Sequence, residues 1–292
     1  MLMIKNLIRL LRLQQWLKNG VVLAGLIFAG EANLIDKVII AIQATAAFCL
    51  LSSSVYILND ITDRNRDRLH PLKKTRPIAS GEISVATASI IGLILAAAGI
   101  ILSIFINQNF VIMVVGYLVL NIFYTFLLKN VVILDVMAIA GGFVLRAAGG
   151  AAAIDVQISG WLLITTFVLA LFLGLGKRRH ELIYLEKEAG SHRKILEKYS
   201  TYLLDQLIGV VTASTVITYL FYTLSPEVSA KLGTRYLYIT IPFVIYGIFR
   251  YLYLVHKEEK GGSPTRLLFT DRPLLLDVLL WLASVILILY IF

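Results

Sequence analysis

The sequence predicts an all-α, polytopic membrane protein: about nine transmembrane helices around a central cavity, with a cytoplasmic cap of loops. Three observations predict it. Of 292 residues, 59% are hydrophobic and only 15% are charged, against about 25% charged in a soluble domain. The apolar residues run in stretches near the ~20 residues a helix needs to cross a bilayer, without the two-residue alternation of a β-barrel. The basic residues, which bring the formal charge to +9, gather in alternate connections between those stretches, as membrane topology requires. A nucleic-acid binder would spread such charge over a soluble surface, so no nucleic-acid partner is expected.

Met1 to Arg12 sets Lys5, Arg9 and Arg12 among Leu and Ile, the pattern of an amphipathic interfacial helix. No small-residue cleavage site follows, which argues against a cleaved signal peptide. The spans are then expected at roughly 17–31, 36–58, 86–106, 110–128, 131–153, 159–176, 205–224, 234–255 and 273–291. Lys5, Arg9, Arg12 and Lys18 fall on one side, with Arg64 through Arg76, Lys129, Lys177 through Lys198, and Lys257 through Arg272. The other side holds only Lys37, Lys231 and Arg235. The positive-inside rule makes the basic side cytoplasmic, and an odd span count puts the C-terminus opposite. The long loops, roughly 59–85, 177–204 and 256–272, share the basic side, so function is expected there. The chain reads as one integral domain, 1–292, of the cell (inner) membrane, with a multi-pass topology. Its single Cys49 excludes an intrachain disulfide.

The densest chemistry follows the second span: Asn59-Asp60-Ile61-Thr62-Asp63-Arg64-Asn65-Arg66-Asp67. If the helix continues, ~100° per residue brings Asp60, Asp63 and Asp67 to one face with Asn59 beside it. Three carboxylates on one face repel, and a hard cation such as Mg²⁺ relieves that while also taking substrate phosphate oxygens. The bland alternative pairs these acids with Arg64, Arg66 and Arg68 in a solvated loop. A basic segment, His70-Pro71-Leu72-Lys73-Lys74-Thr75-Arg76-Pro77, closes with Ser80-Gly81. Acids able to hold a metal beside bases able to clamp phosphate make a coherent diphosphate site.

Asn-Asp-x-x-Asp-x-x-x-Asp followed by a basic Arg-Pro segment resembles the UbiA superfamily of intramembrane prenyltransferases. The form His70-Pro-x-Lys73-x-x-Arg76-Pro is similar to its decaprenyl-phosphate phosphoribosyltransferase branch. So are Gln15-Trp16-x-Lys18-Asn19, Lys177-Arg178 with Glu181, and Pro264-x-x-x-Leu268-x-x-Asp271-Arg272-Pro273. The resemblance covers nearly the whole chain. It implies that 5-phosphoribose passes from phosphoribosyl diphosphate to a polyprenyl phosphate, with Mg²⁺ on Asp60, Asp63 and Asp67. Asp63 and Asp67 would be catalytic; Asn59, Lys73, Arg76 and Lys129 would meet the substrates, and Lys18 and Asn19 the 5-phosphate or ribose. Lys177, Arg178 and Asp271 are further substrate-binding candidates. The superfamily usually carries a second Asp-x-x-x-Asp after the fourth span, whereas here Asp135 is followed at that spacing by Ile139. That departure weighs against the alternative within the superfamily, transfer of a prenyl group from prenyl diphosphate to an aromatic acceptor. A transporter, the reading of another class, would show inverted repeats and midplane polar sites, and no clear repeat is visible.

Tyr124 and Lys129 close the fourth expected span and Asp135 opens the fifth; all three are substrate-binding candidates, the first two alternatively interfacial anchors. Arg146 lies inside the fifth span, where a charge must face the protein interior. It follows Asp135 by 11 residues, so both point the same way, roughly 16 Å apart in depth. It either meets a lipid phosphate or has a structural role, and the flanking Gly141-Gly142 and Gly149-Gly150 predict close helix packing. The stretch Glu186–Tyr199 reads as a charged surface helix. The four histidines lack zinc spacing, and no Walker or Rossmann motif is present.

Overall fold

A computed structural model describes residues 2–71, 73–187 and 196–291. The helices are α1 Leu2–Leu11, α2 Ala24–Ile27, α3 Ile35–Thr62, α4 Arg64–Leu69, α5 Pro77–Ser80, α6 Val85–Ile106 and α7 Gln108–Phe126. They continue with α8 Leu134–Ala153, α9 Gly160–Lys187, α10 Thr201–Leu224, α11 Pro226–Leu232, α12 Ile241–His256, α13 Pro264–Thr270 and α14 Arg272–Tyr290. No strand occurs among the described residues.

Helix starts are written locally. Ser84, Asn107, Ser200 and Asp271 each accept a hydrogen bond from a backbone N–H of the first turn, satisfying a donor the helix leaves open. Pro77, Pro226, Pro242, Pro264 and Pro273 sit in first turns, where a missing N–H costs nothing.

Among the described residues, eight helical segments are long and apolar enough to cross a membrane, one of them joining the 3-10 turn Tyr236–Thr240 to α12. The first expected span differs. Leu13–Leu23 is a 3-10 helix running into the single turn of α2. At ~2.0 Å per 3-10 residue and ~1.5 Å per α residue, this segment reaches roughly 28 Å, close to the ~30 Å hydrocarbon core. Its two ends meet different ends of the neighbouring helices. Arg12 pairs with Asp60 at the end of α3. At the other end, Tyr290 of α14 donates to the Ile27 carbonyl at 3.0 Å and accepts from Ala32 N–H.

The expected close packing is present. Gly150 of α8 lies so near Val22 that an added Cβ would overlap the Val22 carbonyl, and one at Gly25 would sit 2.5 Å from the Ala151 backbone nitrogen. The 3-10 segment is thus pressed between α3 and α8. Of the surface helix expected over Glu186–Tyr199, residues 188–195 lie outside the described residues; Leu196–Lys198 forms a 3-10 turn.

Candidate active site

The expected continuous helix through the Asp motif is interrupted. α3 ends at Thr62, Asp63 takes φ −93° and ψ 3°, and α4 begins at Arg64. Helical hydrogen bonds persist across the joint, from Asp63 N–H to the Asn59 carbonyl and from Asp67 N–H to the Asp63 carbonyl. Around the break the three acids divide between two sets of cations. Asp60 and Asp67 converge on a single nitrogen: Arg76 Nη1 lies 2.9 Å from Asp60 Oδ1 and 2.6 Å from Asp67 Oδ2. Asp60 also meets Arg12. Asp63 turns to Lys129, whose Nζ is 2.9 Å away.

The local arginines are not the close partners. Arg66 comes no nearer than 4.0 Å to Asp63, Arg68 donates to the Ala79 carbonyl, and the buried Arg64 Nε has no hydrogen-bond partner. The counter-charges come instead from α1's end, the loop before α5, and the Leu128–Asn130 turn. Lys73 starts the 3-10 turn below His70, and its N–H donates to His70 Nδ1. Burial, followed by the Lys73 charge, pushes His70 below its ordinary value.

Asn59, expected beside the acids, ties α3 to α7: it donates to the Val55 carbonyl and accepts from the Thr125 hydroxyl at 2.9 Å. Among the described residues, no three His, Cys, Asp or Glu side chains gather closely enough to hold a metal ion. What the structure offers is two carboxylates, Asp60 and Asp67, that share one guanidinium nitrogen. That suits Mg²⁺, which usually takes one or two carboxylates and completes its shell with water and substrate phosphate.

A second acid centre lies at the start of α8. Asp135 is 0% exposed. One oxygen accepts from Arg178 Nε at 2.8 Å and the other from the Tyr199 hydroxyl at 2.8 Å. Arg178, itself 3% exposed, also reaches Glu181 at 2.5 Å, and Lys177 lies 3.6 Å from Glu181. Tyr199 was not anticipated. Its hydroxyl accepts from Ile133 N–H at 2.7 Å, and Ile133 adopts φ 70° and ψ −46°, with Leu134 N–H donating to the Val132 carbonyl. This is a γ-turn of the strained, positive-φ kind, held on a β-branched residue that rarely takes such a conformation. Nothing in a lone tyrosine 64 positions away signals this role. Tyr124 lies close enough to Arg178 to act on its charge.

The remaining candidates separate. Asn19, fully buried, donates to Cys49 and Ser52 and accepts from Arg146 Nε at 2.7 Å. Arg146 also donates to the Gly142 carbonyl and the Tyr117 hydroxyl, so it faces the interior as expected. Lys18 lies beside this group. Asp271 stands apart, joined to Arg250 through both oxygens at 3.0 and 2.7 Å. That pairing holds its carboxyl below the usual range.

The fold and this polar end define a class: a polytopic helical membrane protein with acidic and cationic groups collected where the helices open on one side. A model of the UbiA prenyltransferase family matches residues 20–271, and the chain belongs to that family of membrane transferases. It is 31% identical to a decaprenyl-phosphate phosphoribosyltransferase of Mycolicibacterium smegmatis, over 97% of this chain and 92% of that one. It is 32% identical to one of Corynebacterium glutamicum, over 98% and 87%. In fold it is similar to a UbiA homologue from Archaeoglobus fulgidus bound to GPP and Mg²⁺, with a TM-score of 0.72 and 20% identity, covering 96% of this chain and 99% of that one.

Proposed function

We propose that this chain transfers the 5-phosphoribosyl group from 5-phosphoribosyl 1-diphosphate to a polyprenyl phosphate, releasing diphosphate in a Mg²⁺-dependent reaction at the cytoplasmic face. The relatives in Mycolicibacterium and Corynebacterium are named decaprenyl-phosphate phosphoribosyltransferases, which supports phosphoribosyl transfer to a polyprenyl phosphate. The observation that carries the reading here is the state of Asp135. Its two oxygens are taken by Arg178 and Tyr199 and no solvent reaches it. One acid pair, Asp60 with Asp67, is therefore left for a metal–diphosphate complex, which fits a donor with one diphosphate and an acceptor that needs no second metal.

In this reading the bond between ribose C1 and the diphosphate oxygen breaks, its electron pair leaving with diphosphate. A bond forms between C1 and an oxygen of the lipid phosphate. That phosphate is already anionic near neutral pH, its second pKa being about 6, so no strong general base is needed. The burden falls on a departing anion and an oxocarbenium-like sugar. Asp60 and Asp67 would hold Mg²⁺, which when bound would supply charge neutralisation to the leaving diphosphate. Arg76 and Lys129, with Lys73 beside them, clamp phosphate oxygens. Asp63 orients Lys129. Arg178, held by Asp135 and Glu181, keeps a fixed positive group at the edge of the site, next to Tyr124.

The test uses purified protein in lipid with Mg²⁺, polyprenyl phosphate and radiolabelled phosphoribosyl diphosphate. Label entering the organic phase, and lost on chelation, is the expected result. No transfer, with prenyl diphosphate instead alkylating an aromatic acceptor, would replace this reading with the ordinary prenyltransferase one.

A further inference from the structure

Two cations lie without a carboxylate partner among the described residues, Arg146 buried and Lys18 partly buried. Lys18 lies on the 3-10 segment, six residues beyond Arg12 and so roughly 12 Å further along. Its ammonium has no hydrogen-bond or ion-pair partner among the described residues. The charges acting on it belong to Arg146 and Arg12, both positive. Arg12 is already paired with Asp60. Arg146, 5% exposed, has three of its five N–H groups taken by neutral oxygens, those of Asn19, Gly142 and Tyr117. Its guanidinium stands 4.6 Å over the Tyr117 ring and 5.4 Å from that of Phe143. The backbone joins the two cations through one residue, since Asn19 follows Lys18 and accepts from Arg146.

Neutral acceptors orient a buried guanidinium but do not balance its charge. Two uncompensated cations inside a membrane protein are costly and mark a place for an anion the chain does not itself provide. The acids nearer the mouth are engaged elsewhere: Asp60 and Asp67 by Arg76, Asp63 by Lys129, Asp135 by Arg178. The missing partner is thus a ligand, and its charge should approach −2 to match the pair. A phosphate monoester carries about −1.5 to −2 near neutral pH.

We propose that Lys18 and Arg146 form a phosphate-monoester site within the bundle, deeper than the Asp60–Asp67 pair and independent of metal. This deepens the transfer reading and rests on it for the identity of the ligand. Both substrates in that reading carry a monoester: the 5-phosphate of the donor and the head of the lipid acceptor. The site sits against the 3-10 segment, where the chain has traded α-helical geometry for reach. Lys18 precedes Asn19 on that segment and is near enough to Arg146 for the two charges to act on each other.

The experiment measures binding of farnesyl phosphate and of ribose 5-phosphate, each alone and with a chelator, to the full chain in phosphatidylcholine nanodiscs. Arg146 also ties Asn19 and Tyr117, so Lys18→Gln is the test variant and Lys18→Arg its charge-preserving control, with thermal melts confirming the fold. The expected result is that one probe binds the wild type without metal. Lys18→Gln should weaken it about ten- to a hundredfold, the range of a charge-assisted phosphate contact, while Lys18→Arg retains most of it. Weakening confined to farnesyl phosphate assigns the site to the lipid head, and weakening confined to ribose 5-phosphate assigns it to the donor. If the wild type binds neither probe, or Lys18→Gln binds both as the wild type does, the site is refuted. Failure of radiolabel transfer by the wild type would refute the transfer reading while leaving these binding results in force.

Discussion

Asp60 with Asp67 and Asp135 with Arg178 are both acid–base centres at the same end of the bundle, yet they are built for opposite purposes. The cations that meet Asp60 and Asp67 come from side chains in partial contact with solvent: Arg76, between the two, is 29% exposed and Arg12, on Asp60, 22%. Asp135 and Arg178 are sealed from water and close a ring with Tyr199 and Glu181. A guanidinium reaching in from a surface loop can yield to a metal and a phosphate, because leaving returns it to water. A sealed pair cannot separate without stranding a charge. The first arrangement suits exchange and the second suits holding a framework, and four substitutions test that division.

Arg178→Met should give the largest effect. It leaves Asp135 buried with only the Tyr199 hydroxyl, a loss of about 3–5 kcal/mol for breaking one side of a buried pair. The measurement is the denaturant midpoint in detergent. Adding Asp135→Asn to the same chain should recover much of that stability by removing the orphaned charge. A single variant as stable as the wild type would show that the two centres do not differ in kind.

Asp67→Asn should do the reverse, leaving the unfolding midpoint near wild type and lowering label transfer by roughly a hundred- to a thousandfold, as loss of one electrostatic group in a preorganised site does. Chelation of the wild type should have an effect at least as large. If Asp67→Asn instead unfolds the protein while Arg178→Met only slows it, the roles assigned above are exchanged.

The two centres also differ in how far the sequence reveals them. The Asp motif is legible because its spacing and residue types are local, and the neighbouring Arg-Pro segment supplies the bases. The pairing within it is not: Arg64 at i+4 from Asp60 and Arg66 at i+3 from Asp63 have the spacing of helical ion pairs, yet the closer contacts come from Arg12, Arg76 and Lys129, distant in the chain. The break at Asp63, which aims one acid at Lys129 and two at Arg76, has no Gly or Pro to announce it. Likewise the first crossing is short by α-helical length, and only the larger rise of a 3-10 helix lets it span. The locked centre was visible as Asp135 and Arg178 separately. Its organiser, Tyr199, joins them from 64 residues away through a strained turn at Ile133, and no local pattern encodes that.

Tyr199→Phe sharpens the comparison at that organiser. It removes one hydroxyl and leaves Ile133 N–H and one Asp135 oxygen unsatisfied, a cost of about 1–3 kcal/mol. Burial pushes the wild-type hydroxyl above the ordinary tyrosine value, and its hydrogen bond to Asp135 adds to that shift. A raised value means the protonated form is favoured in the folded state. This contribution is therefore complete below the unfolded pKa of about 10, and is lost as pH rises through the higher folded value. Melts of wild type and Tyr199→Phe should differ by a constant amount from neutral to mildly alkaline pH and converge only beyond pH 10. A difference that changes between pH 6 and 8 would mean that another group titrates in this ring.

The smallest effect is expected at Asp271, which the resemblance marks for substrate and the geometry gives to Arg250. Asparagine caps a helix about as well as aspartate, so Asp271→Asn keeps the Leu274 N–H bond at the start of α14 and removes the ion pair. A pair open to solvent on one side contributes about 0–1 kcal/mol. Its carboxyl is held low by the Arg250 hydrogen bonds, so this stability is present above about pH 4 and fades as pH falls through the folded value. At neutral pH the variant should lose at most that much stability, with an unchanged KM for phosphoribosyl diphosphate. A several-fold rise in KM at unchanged stability would instead bring Asp271 into the substrate site, which would require Arg250 to release it when the donor binds, making this pair exchangeable like Asp60 and Asp67.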